Sequence, residues 1–91
     1  MLVALIARDK PGALDVRMAT RDKHVAFLKS SDIVRQAGPL LDEAGNMCGS
    51  LIILEVDDMD VARDWASEDP YVDAGLFASV ELVPWNRVIG G

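Results

Sequence analysis

The chain is poor in the residues that usually announce a function. It holds one cysteine, Cys48, and one histidine, His24, among 91 residues. A lone cysteine cannot close an intramolecular disulfide, and with a lone histidine it makes no zinc site of recognised spacing. Cys48 therefore reads as a small, partly buried residue just before a strand, and an unpaired thiol fits a reducing, cytoplasmic setting. Aromatic residues make up 5% of the chain against 51% hydrophobic residues in all, so the core must be built from Val, Leu, Ile, Ala and Met. Positive charge is scarce. Nine Lys and Arg stand against 15 Asp and Glu, giving a net charge of -6. Nucleic-acid binding and docking on anionic membranes both need a basic surface, so both are disfavoured. Long apolar runs are missing too. The segment from Met1 to Arg8 has no basic stretch before it, lacks the layout of a signal peptide and is too short to span a bilayer. It reads as a strand. Repeats, low-complexity tracts and linkers are absent, so residues 1–91 are expected to form one domain.

The order of elements is legible. Leu2 to Arg8 is apolar and strand-like, and Asp9-Lys10-Pro11-Gly12 breaks it with turn chemistry. Ala13 to about Ser30 carries a helical stripe. Ile33 to Gly38 is a weaker strand, ended by Gly38-Pro39, and Asp42 to Gly45 forms a hairpin tip. Met47 to Val56 is the strongest strand, with Leu51-Ile52-Ile53-Leu54 at its centre. Asp57 or Asp58 caps a second helix from Met59 to Ser67, whose apolar face is Val61, Ala62, Trp65 and Ala66. A last strand runs from Ala78 to Val83 and is closed by Pro84-Trp85.

This βαββαβ order predicts an α+β, ferredoxin-like domain: a four-stranded antiparallel sheet with two helices on one face. The first strand is apolar on both sides, Leu2, Ala4 and Ile6 against Val3, Leu5 and Ala7. Strands of that kind are buried on both faces. Two helices cover only one, and a bare apolar sheet face exceeds the patch a monomer tolerates. A second copy is therefore expected to cover it as a two-fold homodimer.

Within the first helix, Arg17, Arg21, His24 and Leu28 share one stripe, at ~100° per residue, beside Leu14, Met18 and Val25. Histidine can serve as acid or base near neutral pH, so His24 is the best lead to chemistry. It is either a general acid/base in a pocket between helix and sheet, or a rim residue bonded to a carbonyl or water. Arg17 and Arg21 can present guanidinium forks to a carboxylate or phenolate. Alternatively they pair with acids such as Asp22 or Asp69 and pack their stems on the core. Arg21 lies deeper in the stripe and is expected to have a buried partner. Ser50 can offer a hydroxyl to the pocket or simply start a strand. Gly38, before Pro39, and Gly49 allow close approach of a ligand or of the chain itself. Asp69 before Pro70 is the pattern of a helix N-cap. Trp65 reads as core, and Trp85 as a dimer contact or a pocket roof.

Taken in order, several segments resemble the YciI-like (YCII) family over nearly the whole chain. They are Asp9-Lys-Pro-Gly-Ala-Leu with Arg17, Arg21-Asp-Lys-His24 on to Leu28, and Gly38-Pro39-Leu-Leu. Gly49-Ser50, Ala62, Asp69-Pro70-Tyr71 with Gly75-Leu-Phe, and Pro84-Trp85 complete the set. The resemblance implies a dimeric α+β barrel with a histidine/aspartate-centred site. It assigns the histidine to His24 and the aspartate to Asp69, with Asp32, Asp42 and Asp73 also near matched segments. It also implies lyase or isomerase chemistry on small ring compounds, such as dehydrochlorination of chlorinated hydroxyquinols, with small monooxygenases in the wider barrel group.

The expected function is thus that of a small enzyme needing no cofactor and no metal. Neutral His24 removes a proton from a small anionic ring or lactone, Asp69 holds the imidazole, and Arg17 with Arg21 or backbone amides holds the negative charge. A carboxylate-only magnesium site is also compatible with the composition. The competing expectation is a non-catalytic dimeric ligand-binding or accessory domain. A third is a cofactor-free monooxygenase acting on an electron-rich aromatic.

Overall fold

A computed structural model describes residues 1–91. The elements are β1 (Leu2–Asp9), α1 (Leu14–Ser30), β2 (Val34–Leu41), β3 (Met47–Glu55), α2 (Met59–Ser67), α3 (Pro70–Asp73) and β4 (Phe77–Trp85). The sheet is antiparallel throughout, in the order β2-β3-β1-β4. This is the ferredoxin-like α+β arrangement the sequence predicts, with α3 added as one short turn before β4. No helix is long and apolar enough to cross a membrane.

The two central strands carry the core. Val3, Leu5 and Ala7 of β1 lie against Leu54, Ile52 and Ser50 of β3 by register, and all six are buried. Ala62 and Ala66 of α2 close over the aliphatic part of this layer. Asp58 starts α2 by accepting the backbone N–H of Val61. Asp42 shapes the β2–β3 hairpin by accepting the N–H groups of Ala44 and Asn46. The opposite sheet face presents Leu2, Ala4 and Ile6 of β1 and Leu51 and Ile53 of β3. Val83 and Trp85 of β4 share it by register. Leu51, Val83 and Trp85 are about 40% exposed there, and no helix of the chain covers them.

The structure corrects two strand ends. β2 runs through Gly38-Pro39 to Leu41, and β4 runs through Pro84 to Trp85. Both are edge strands. A proline there lacks an N–H that no neighbour needs, so it does not end the ladder. Cys48 lies inside β3 and not before it, partly buried.

Gly49 marks a close approach within the sheet. A Cβ at this position would collide with the backbone carbonyl oxygen of Ala7 and press on Leu40. Glycine is therefore required for β3 to lie against β1 next to Ser50. Gly75, with φ +70°, ends α3 in the left-handed conformation and turns the chain into β4.

Candidate functional site

Helix α1 buries polar groups. Its buried residues are Arg17 and His24, while Leu14 and Met18 are 37% and 54% exposed. The expected apolar flank of the stripe is thus turned outward. The polar stripe itself faces the sheet, where charged partners await it.

His24 meets Asp69. Nδ1 of His24 lies 2.9 Å and 3.0 Å from the two carboxylate oxygens of Asp69. A carboxylate only accepts, so Nδ1 carries the proton and donates it, and in the neutral ring Nε2 keeps its lone pair. No protein group bonds Nε2. Asp69 also caps α3 by accepting the backbone N–H of Tyr71 at 2.9 Å, with Pro70 in the first turn. Capping and pairing are therefore carried by one carboxylate. Asp32, Asp42 and Asp73 do not contact His24.

Arg17 meets Asp9. Its Nε and Nη2 donate to the two Asp9 oxygens at 2.7 Å and 2.9 Å, and Nη2 also donates to Ser50 Oγ at 3.0 Å. This replaces the expected partners Asp22 and Asp69. Asp9 belongs to the same alternating set as Val3, Leu5 and Ala7, so strand geometry aims it at the helix side, helped by an irregularity in the β1–β4 ladder at Arg8/Asp9. Burial works to lower the Arg17 pKa, but the hydrogen bonds and charge of Asp9 hold it above its ordinary value.

Arg21 departs from expectation. It is exposed and has no buried partner, because the helix turns Arg17 toward the sheet and leaves Arg21 at the rim.

These residues surround a cavity of about 240 Å³. That is below the ~300–1,000 Å³ of drug-sized pockets and suits one small ring. Its deep side is Arg17, His24, Ser50 and Tyr71, all buried. Val25, Leu28 and Met47 form a partly exposed apolar side, and Arg21, Lys29 and Gly38 lie at the exposed edge. Three cations line the cavity and no carboxylate does, in a chain whose net charge is -6. Arg17, Arg21, His24, Ser50 and Gly38 are therefore brought together, with Asp69 behind His24. Gly38 leaves open space where a side chain would be. Trp85 is not a roof, since it pairs with Leu2 on the far face of the sheet. Trp65 stacks on Phe27 and donates its indole N–H to Ser31 Oγ.

Two site residues escaped the sequence reading: Asp9, taken as a turn residue, and Tyr71. Counting alternate positions along β1 would have found Asp9. Tyr71 stacks on His24 with centroids 4.0 Å apart, and Arg17 Cζ lies 4.6 Å from the centre of its ring. Burial raises the Tyr71 pKa, Arg17 and Arg21 oppose this, and Asp69 and Asp9 add to it.

Fold and site together define a ferredoxin-like α+β domain with a buried His–Asp pair at a cationic cavity between its first helix and its sheet. The chain belongs to the YCII-related domain family, which matches residues 1–86. It is 37% identical to an uncharacterized protein of Haemophilus influenzae and 33% identical to protein YciI of Escherichia coli. Each alignment covers 97% of this chain and 99% of the relative. Among solved structures, it is similar to 5-chloro-2-hydroxyhydroquinone dehydrochlorinase from Burkholderia phenoliruptrix in complex with 2,5-dihydroxybenzoquinone. The TM-score is 0.86 at 30% identity, over 94% of both chains. SnoaB, a cofactor-independent oxygenase from Streptomyces nogalater, shares the fold at TM-score 0.66 and 13% identity, over 99% of this chain and 98% of that one.

Proposed function

We propose that this protein is a small enzyme of general acid/base type acting on a small anionic ring compound, with His24 as the base. The observation that carries this reading is the His24–Asp69 pair, with Nε2 left free beside a cavity lined by cations. Nε2 takes a proton from an acidic C–H or O–H of the substrate, and the electron pair of that bond stays on the substrate as an enolate or phenolate. Asp69 fixes the ring and stabilises the imidazolium that forms. The pair then expels a leaving group, such as chloride, in a lyase reaction, or collects the proton back at another carbon in an isomerisation.

Arg17 is already neutralised by Asp9, so its contribution is directional hydrogen bonding from Nη1 more than net charge. Arg21 and Lys29 at the rim supply the field that draws an anion in. A homodimer through the open sheet face completes the proposal, since Leu51, Val83 and Trp85 otherwise stay exposed. The chemistry of the dehydrochlorinase relative supports a hydroxylated, halogenated ring as the first substrate class to try.

The test is chloride release from chlorinated hydroxyquinols by the wild type and by His24→Asn. Loss of about 10²–10⁴-fold in turnover, with melting temperature and oligomeric state retained, supports the enzyme reading. Ligand binding without turnover in the wild type would instead favour a non-catalytic binding domain.

A further inference from the structure

Charge is divided unevenly along the cavity. At its deep end Arg17 is held by both oxygens of Asp9, and the two charges cancel. His24 must be neutral to act as a base, so Asp69 behind it leaves the deep end with one net negative charge. At the exposed edge stand Arg21 and Lys29, and neither takes part in an ion pair of the chain. No carboxylate lines the cavity to balance them. The fold accounts for one of the two. Lys29 lies in the last turn of α1, where a cation suits the helix dipole. Arg21 is in mid-helix, where that account does not apply.

We propose that Arg21 and Lys29 form a rim subsite for a carboxylate carried on the substrate ring, separate from the group that His24 deprotonates. This rests on the acid/base reading of His24 and goes beyond a general attraction for anions, because it fixes which end of the substrate enters first. A group already ionised is repelled by the charge of Asp69 at the deep end and is held at the rim. A hydroxyl or C–H that still keeps its proton meets no such repulsion and reaches Nε2. The substrate class is then a hydroxylated ring carboxylate, bound with its carboxylate outward.

The geometry suits this division. Arg21, Val25 and Lys29 follow one another at intervals of four along α1, so the two cations stand ~12 Å apart along the axis, at ~1.5 Å per residue. Both border the same cavity of about 240 Å³, and their long side chains flank its mouth. Burial raises the Tyr71 pKa, and Arg21 is among the charges that oppose this, so its field reaches the deep wall. A guanidinium fork donates to both oxygens of a carboxylate, and an ammonium adds a point charge. Val25, Leu28 and Met47 supply the apolar side on which a ring lies. The cavity holds one small ring, so a ring that touches Nε2 sets its far substituent at the edge.

The experiment compares 2,5-dihydroxybenzoate with hydroquinone, the same ring without the carboxylate, on wild type and on the double variant R21Q/K29Q. Calorimetry reads affinity. The ¹⁵N signals of His24, the only histidine of the chain, report whether the ring reaches the deep end. The wild type is expected to bind 2,5-dihydroxybenzoate about 10-fold tighter than hydroquinone, and the double variant to lose that preference. Added salt should weaken binding of the carboxylate alone, and both ligands should move the His24 signals. Both substituted side chains are exposed, so the variant should melt as the wild type does. Equal affinity of the wild type for the two ligands, or equal weakening of both in the variant, would overturn the proposal. If the His24 signals still move in those cases, His24 as base stands. Unmoved His24 signals with 2,5-dihydroxybenzoate bound would overturn it as well, because the ring then stays outside. So would no binding of either ligand, while chloride release from chlorinated hydroxyquinols would still report on His24 separately.

Discussion

Oδ1 of Asp69 lies 2.9 Å from Nδ1 of His24 and, at the same distance, accepts the backbone N–H of Tyr71. One oxygen thus ties the start of α3 to the imidazole of α1, and the ring cannot turn without disturbing the cap. Asp69→Asn divides these roles. The amide oxygen can still cap α3, but the amide nitrogen can present N–H to Nδ1 and move the ring proton to Nε2. The expected outcome is a switch of the His24 tautomer, read directly by ¹⁵N NMR. On the proposed acid/base function, turnover should fall by about 10²–10⁴-fold with only a small loss of stability.

The second ion pair is structural and lies beside the first. Asp9 and Arg17 side chains are 6% and 2% exposed, so removing the acid leaves a buried guanidinium uncompensated. Asp9→Ala should destabilise the fold toward the lower end of the ~3–5 kcal/mol typical of a broken buried pair, because the cavity offers the guanidinium some water. Urea unfolding measures this. A loss under ~0.5 kcal/mol, the scale of ordinary surface changes, would show that Arg17 finds another partner.

How much of this was legible without coordinates follows from what period and what partner each residue has. β1 and β3 carry continuous apolar runs, and the alternation that exposes an uncovered face needs no partner to be seen. His24 and Arg17 stand out because they interrupt or border the apolar face of a helix. From its local pattern Asp69 read only as a cap, and its pairing with His24 came from the family resemblance, because that role depends on α3 meeting α1, a contact between residues 45 positions apart. Arg21 was misjudged because helix periodicity gives the angle between residues but not which side faces the sheet. Arg17 is held inward by Asp9, and Asp9 sat in a stretch whose Pro11-Gly12 turn chemistry concealed the strand's last inward position. Pro39 and Pro84 misled in the same way, since whether proline ends a strand depends on whether that strand is an edge.

The Gly49 contact can be tested by adding one methyl group. Gly49→Ala drives a Cβ into the Ala7 carbonyl oxygen, and backbone cannot move aside as a flexible side chain could. Destabilisation of about 1–3 kcal/mol is expected, as for overpacked cores. The shift should also reach Ser50, the next residue, and loosen its hydrogen bond from Arg17. Chemical denaturation gives the first effect, and a shift of the Arg17 guanidinium NMR signals the second.

Alkaline pH probes Tyr71. Its folded-state pKa is raised above the ordinary value of 10.0, so above that pH the unfolded chain binds fewer protons than the folded one. Stability then falls as pH increases. The contribution is fully present below the ordinary tyrosine range and is lost as pH climbs through the folded-state pKa. Absorbance at the phenolate band should show this single tyrosine ionising later in the folded protein than in urea. The wild type should lose stability over that window relative to Y71F, and parallel alkaline curves for the two proteins would contradict the shift.

The uncovered sheet face makes the last prediction. Leu51 and Val83 stand about 40% exposed on it, near Ala4 and Ile53, which are almost fully buried by their neighbours alone. In the proposed homodimer a second copy, turned through a two-fold axis, sets each patch on its own image. A lysine at Leu51 would then meet apolar surface across the interface, with its charge desolvated and unpaired. Light scattering should give the mass of a dimer for the wild type and of a monomer for Leu51→Lys. The cavity beside His24 lies on the other side of the sheet, so the monomeric variant should retain the His24 tautomer even where its stability has dropped. A wild type that is monomeric at micromolar concentration would show that this face is free.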